Sequence, residues 1–425
     1  MDSFSHTVEA YLNPHTTDSP LPFVTLGAVD KSGAFYYEKF FGSDCSTAAG
    51  PQDTNSVHWV APCSKLVTTI AALQCVEKGV LTLDGYIGDV LPEWKNPKIL
   101  IGFEENGEPI LKPTQSHISL GFSRHMLSRS SGMAYAFLDP LMSKYQDWQG
   151  AKPKSNLTIV RTGECGSDRI PTADKGTTKI PSTRFSFSSP ERDGDTSQKP
   201  NMSACWSVSH DPVPWTLQLN DAQVERVNGG IKLGEYMRRN IFEPLGIKDM
   251  TFHLEDREDM RKRLARMWQR TPDGGLQMRN DWFMPDPVFD DFGGTGLYAT
   301  APELLKIYAA LLRDDERLLR KETVDLMFTP HIPTTVDFDD ARKASVFVRN
   351  SVFNSIPDDA AANSGLGGVL NTTAVPGRRG APSLTWSGMS NCFWWIDSKS
   401  RKLDEGSLKA TGLQRRLAMR SGIVD

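Results

Sequence analysis

Two β-rich apolar runs, FVTLGAVD (23–30) and GAFYYEKFFG (33–42), flank Lys31-Ser32-Gly33 near the start of the chain. Apolar runs joined by a Ser-Gly turn predict a β-hairpin. From Pro62 to Lys78 the spacing changes: Leu66, Ile70, Leu73 and Val76 recur at helical intervals, and Gly79 follows as the closing cap. Helical patterns continue through AQVERVNGGIKLGEYMRRNIFEPLG (222–246) and TAPELLKIYAALLRDD (300–315). Beyond these, GLGGVLNTT (365–373), SLTWSGM (383–389) and NCFWWID (391–397) carry β-branched and aromatic residues between Gly, Pro and Ser breaks, which is strand character.

Strands at both ends with helices between predict an α/β (α+β) fold: one antiparallel sheet flanked by helices, drawn from residues before about 60 and after about 300, plus a helical lobe. The expected division is 1–60 with 301–425 as a discontinuous sheet lobe, and 61–300 as the helical lobe. One stretch departs from this pattern. Residues 150–214 are rich in Ser, Thr, Pro, Gly and charge without a sustained period, which predicts an irregular insertion.

Composition narrows the function classes. The 425 residues are 39% apolar and 24% charged with a formal net charge of −4, so nothing pulls the chain toward nucleic acid or an anionic membrane surface. No apolar run reaches the roughly 20 residues of a membrane span. The N-terminus MDSFSHTVEAYLNPHTT has neither a basic n-region nor an apolar h-region, so a cytoplasmic protein is expected. Cys45, Cys63, Cys75, Cys165, Cys205 and Cys392 lack CxxC pairing and histidines at ligand spacing, and are expected to be free thiols rather than a zinc site or a disulfide framework. Sequons at Asn156, Asn201 and Asn371 then read as chance matches. The acidic pair Asp290-Asp291 and the run DREDMRKR (256–263) read as solvated faces, and His117, His125 and His210 sit in no nucleophile elbow.

Five segments, in order, carry a family resemblance: VAPCSKLVTTIAALQCVEKGVLTLD (60–84), LSRSSGMAYAFLDP (127–140), VERVNGGIKLGEYMRRNIFEPLGIKDMTF (224–252), FGGTGLYATAPELLKIYAALL (292–312) and GLGGVLNTTAVPGRRGAPSLTWSGMSNCFWWID (365–397). Together they resemble the fungal transesterases and esterases of the serine β-lactamase-like superfamily, which includes the acyltransferases of statin biosynthesis. The resemblance implies a β-lactamase/transpeptidase-like fold and a covalent acyl-enzyme mechanism. It implies a small-molecule acyl donor and acceptor as partners, and needs no cofactor or metal; the oligomeric state stays open.

It also assigns roles. A Ser-x-x-Lys pair at a helix start puts hydroxyl and amine on one face, so that the lysine moves the serine proton. Lys65 matches the lysine, but the position three before it is Pro62, which has no nucleophile. Proline is favourable in the first helical turn, so the fold tolerates it. Ser64, one residue from Lys65, serves as nucleophile only if the helix starts later than Pro62. Trp386, Ser387 and Gly388 match the strand that forms the other cleft wall, and Tyr135 is the remaining candidate for the proton-relay tyrosine, because positions 146–235 contain none. The tail SKSRKLDEGSLKATGLQRRLAMRSGIVD (398–425) departs from the family's further edge strand. Two explanations stand for these departures: an unspliced or frame-shifted reading, or a relative that has lost its chemistry and binds a polyketide-like ligand without acyl transfer.

Overall fold

The computed structural model describes residues 23–113 and 219–398 apart from short interruptions, together with parts of 140–161, residues 423–424 and isolated positions elsewhere. The chain forms two compact units. One comprises Met1–Lys95, His117–Ser131 and Thr216–Asp425, and the other Asn96–Ser116 and Gly132–Trp215.

In the larger unit the expected hairpin is present: β1 (Val24–Val29) runs antiparallel to β2 (Tyr36–Phe41), with Val24 opposite Phe41. The short β3 (His58–Trp59) leads through a 3₁₀ turn, Ala61–Cys63, into helix α1 (Ser64–Glu77). The apolar spacing put this helix in the right place but started it at Pro62, two residues too early. Backbone bonds from Gly79 to Val76 and from Val80 to Cys75 close its last turn. Nearly every residue from Leu66 to Cys75 is buried, so α1 is a central helix rather than an amphipathic surface one.

The smaller unit holds a three-stranded sheet of β4 (Lys98–Phe103), β5 (Pro109–Pro113) and β6 (Ile159–Arg161), with helix α2 (Pro140–Gly150). β6 lies inside the stretch expected to be irregular and pairs in parallel with β4, which supplies the ladder partner that its composition gave no hint of. Apart from Gly150 at the end of α2, the rest of 150–214 lies outside the described residues.

Back in the larger unit, helices α3 (Leu219–Val227) and α4 (Leu233–Met237) follow the expected mid-chain pattern. β7 (Met250–Thr251) and β8 (Tyr298–Ala299) pair, and β8 also pairs with β3, so this small sheet ties the start of α1 to the segment before helix α5 (Ala301–Arg313). A four-stranded antiparallel sheet ends the fold: β9 (Ala362–Ser364), β10 (Val369–Asn371), β11 (Ser383–Ser387) and β12 (Phe393–Asp397), in that spatial order.

One expectation is corrected here. β1–β2 and β9–β12 are separate ladders, not one sheet. They share a helix instead: on α5, Leu305 occupies the space beside Gly27 of β1, 2.7 Å from where a Cβ would stand, and Tyr308 stacks on Trp394 of β12 at 5.7 Å. A common apolar helix face thus does the work that a shared hydrogen-bond ladder was expected to do.

The core joins Leu66, Ile70 and Leu73 of α1, Leu304 and Leu311 of α5, Leu370 of β10, and Leu384 and Trp386 of β11 in one buried cluster. Each such side chain contributes about 1.5–3 kcal/mol relative to exposure. Asn371 is fully buried in β10 and donates to the carbonyls of Thr373 and Gly380, so its sequon is closed to glycosylation in the folded chain.

Candidate active site

The helix start is the first element of the site. Ala61 is buried with φ +45, a left-handed backbone that costs a residue with a Cβ roughly 1–2 kcal/mol. Pro62 follows it, and a proline restricts the residue before it further. Strain of this kind persists only where the surroundings over-determine the conformation. They do so here: Val60 N–H donates to Leu297 O (3.0 Å), Cys63 N–H to Val60 O (3.0 Å), and Trp59 Nε1 to Thr295 O (2.6 Å).

Ser64 opens the α-helix, which satisfies the register condition for a role as nucleophile. Its surroundings point elsewhere. The residue is fully buried; its hydroxyl donates to Ala61 O (2.6 Å) and accepts from Leu297 N–H (3.1 Å). Cys63 is also buried, with Sγ 3.5 Å from Cys392 O. Burial pushes the Cys63 thiol up, the neighbouring Cys392 adds to the rise, and Lys65 opposes it, so the thiol stays protonated. Cys392 is pushed up to about 11, again by burial.

Lys65, half-buried, donates from Nζ to Gly294 O at 2.8 Å. That carbonyl belongs to the Gly-rich segment Phe292–Leu297, which crosses the start of α1. Thr68, one turn after Ser64, donates to Gly293 O (2.7 Å), while Gly293 N–H donates to the buried carboxyl of Asp221 on α3 (2.8 Å). Backbone bonds from Thr295 N and Gly296 N to Phe292 O fold the segment into a tight turn. Gly293 is required by close approach: a Cβ there would lie 2.2 Å from Asp221 Oδ1, 2.6 Å from Thr68 Oγ1 and 2.7 Å from Leu233.

β11 supplies the facing element. Trp386 is buried opposite Trp394 and Ser387 opposite Phe393, and the hairpin is closed by Gly388 N–H donating to Cys392 O (3.2 Å). Gly388 lies directly against Pro62: a Cβ on Gly388 would stand 2.1 Å from Pro62 Cδ and 2.4 Å from Cγ. The position where the motif calls for a serine therefore abuts the end of the Trp386-Ser387-Gly388 strand. Tyr135 lies outside the described residues.

Sequence reasoning missed several supports of this site. The helical pattern over 300–315 gives no account of the residues before it, where the Gly-Gly-Thr-Gly run (293–296) is the signal that a close-packed turn precedes the helix. Asp290-Asp291, read as solvated, is half wrong. The Asp291 carboxylate is buried, accepts from Gly234 N–H (2.7 Å) and contacts His253 Nε2 (2.8 Å), while Glu255 contacts His253 Nδ1 (2.9 Å). Burial alone would lower the His253 pKa, but the Glu255 and Asp291 contacts prevail and raise it. Among the described residues, no cluster of three or more His, Cys, Asp or Glu side chains is arranged to hold a metal, and no helix is long and apolar enough to cross a membrane.

A terminal antiparallel sheet packed on helix α5, with the start of a buried helix pressed against a sheet strand, defines the β-lactamase/transpeptidase-like fold. The Beta-lactamase family matches residues 216–403. Over 388 residues the chain is 32% identical to lovastatin esterase of Penicillium rubens, covering 90% of this chain and 87% of that protein. It is 28% identical to ML-236A carboxylate methylbutanoyltransferase of Penicillium citrinum, covering 89% and 82%. Unliganded simvastatin synthase from Aspergillus terreus superposes with a TM-score of 0.71 at 25% identity, covering 97% of this chain and 98% of that one. The chain belongs to the β-lactamase-like family of fungal acyltransferases and esterases.

Proposed function

We propose that this chain works on small esters or thioesters as an acyltransferase or esterase of fungal secondary metabolism, in a site bounded by the start of α1 and by Trp386-Ser387-Gly388. The contact of Pro62 with Gly388 carries the reading: the helix position of the motif serine and the motif strand meet as acyl transfer requires, with Lys65 three residues further along the helix. In this assignment Lys65 handles the proton of an attacking hydroxyl, Trp386 and Ser387 line the acyl side, and backbone N–H groups near Gly388 receive the developing oxyanion. Tyr135 is assigned to the substrate-binding side. Ser64 is assigned a structural role, since both partners of its hydroxyl are backbone groups that hold the strained turn.

A second reading is favoured by one observation. Pro62 offers no hydroxyl, and the neighbouring Cys63 and Ser64 are buried and engaged, so the site as it stands is suited to binding an ester without forming an acyl-enzyme. Labelling separates the two. Under the binding reading the parent resists a serine-directed phosphonate, since loss of a nucleophile costs several orders of magnitude in rate, and Pro62→Ser gains stoichiometric labelling at residue 62. Under the transfer reading the parent itself turns over a chromogenic ester. Labelling of the parent that Ser64→Ala removes would restore Ser64 as nucleophile and the transfer reading. Failure of Pro62→Ser to react with either the phosphonate or a chromogenic ester would refute the acyl-transfer site itself.

A further inference from the structure

Asp221 has a carboxyl that the chemistry above does not use. It sits on α3, is 4% exposed, and aims one oxygen at the loop that receives Lys65. Resting on the role given to Lys65, we propose that Asp221 is a positioning residue for that lysine: its buried carboxyl fixes the Gly293 amide, and through it the Gly294 carbonyl that receives the Lys65 ammonium. The relay is short. Asp221 Oδ2 accepts from Gly293 N–H (2.8 Å), Thr68 Oγ1 donates to Gly293 O (2.7 Å), and Lys65 Nζ donates to Gly294 O (2.8 Å). Gly293 is therefore held at its N–H and at its C=O, which belong to two consecutive peptide planes, by side chains from two different helices. The next carbonyl along the chain takes its direction from that grip.

The charge state of Asp221 follows from its neighbours. Burial opposes ionisation, and the carboxylates of Glu225 on its own helix and of Asp290 and Asp291 on the facing segment oppose it further, against the favourable bond from Gly293 N–H. Lys232 is committed to Asp290 and Glu225, and His253 to Asp291 and Glu255. Burial and these like charges favour the neutral form of the carboxyl, which makes asparagine its closest replacement in shape and charge.

Mass spectrometry of Lys65 reductive methylation against pH, with exposed Lys321 as internal reference, tests the relay without any turnover. Asp221→Asn should keep the parental Lys65 profile, because its amide oxygen still accepts from Gly293. Asp221→Ala should displace the profile by about one pH unit, which is roughly a tenfold change in rate at fixed pH on its rising limb, with Lys321 unchanged. If Asp221→Ala does not fold, Thr68→Val frees the Gly293 carbonyl, in the peptide that leads into Gly294, and should displace Lys65 in the same way. An unmoved Lys65 profile in the alanine variant, or in Thr68→Val where that stands in for it, overturns the proposal. So does an asparagine variant as altered as the alanine one. In the Pro62→Ser background, Asp221→Ala should also slow phosphonate labelling and Asp221→Asn should restore it. If Pro62→Ser itself does not label, the acyl-transfer reading fails while the methylation profile still decides the role of Asp221.

Discussion

The two supports of the site, the Phe292–Leu297 loop and the Ala61–Lys65 turn, differ in what they have kept. In the loop the Gly293 amide and the carbonyls of Gly293, Gly294 and Thr295 all meet partners on α1, on α3 or on Trp59. The turn has its strained backbone and its lysine, yet carries proline at the position to which the proposed function assigns the hydroxyl. The difference teaches that the supporting shell and the reacting group are separable. The shell is anchored by many long-range bonds that also stabilise the fold, whereas the nucleophile is a single side chain whose replacement leaves those bonds intact. The fold follows from the shell; in the proposed function, activity follows from one residue.

The sharpest way to break this comparison is to damage the loop while sparing the turn. Gly293→Ala places a methyl group among Asp221, Thr68 and Leu233, all within 2.7 Å of the new atom. It should destabilise the protein by about 3 kcal/mol or more, the upper range of overpacking effects. Urea unfolding with a parental midpoint would show that the loop is not the rigid support described.

The two supports should also respond to pH in opposite directions. His58, on β3 just ahead of the turn, is fully enclosed, and burial lowers its pKa to about 4 from 6.5. Its native form is neutral, so its contribution is complete above about pH 6.5 and is lost as pH falls toward 4, about 3 kcal/mol in all. Asp221 has the opposite sign. Its folded pKa lies above the ordinary carboxylate value because of burial, so stability falls as pH rises from that value through the folded one. Thermal unfolding across pH should therefore lose its acid arm in His58→Phe, and in Asp221→Asn the decline that sets in above the ordinary carboxylate value. Superimposable pH profiles of parent and variants would remove the distinction between the two supports.

The smallest expected effect tests the contact that joins helix start to strand. Gly388→Ala forces a methyl group onto the Pro62 ring, and Pro62→Ala removes the ring atoms it would meet. A double-mutant cycle on unfolding free energy should give a coupling of about 1–2 kcal/mol, with the double variant more stable than additivity predicts. Additive behaviour would mean that the two walls do not touch in solution.

Much of this architecture was legible in local pattern. The hairpin of β1 and β2, the buried helix over Ser64–Glu77, and the strands ending in Trp386-Ser387-Gly388 and Phe393–Asp397 appear as period and turn chemistry within a few residues of one another. Lys65 was visible because motif spacing on a helix fixes which side chains share a face. What only the tertiary structure decided depends on partners remote in the chain. The hydroxyl of Ser64 is claimed by Leu297, 233 residues away, and that of Thr68 by Gly293, 225 residues away. Asp291 was read as solvated because it is paired in sequence with a second acidic residue, Asp290, while His253 and Gly234 enclose it in space. The separation of β1–β2 from β9–β12 likewise rests on α5, whose Leu305 and Tyr308 reach one sheet each. Sequence period records which residues seek burial, and the choice of what they are buried against is made by packing across hundreds of residues.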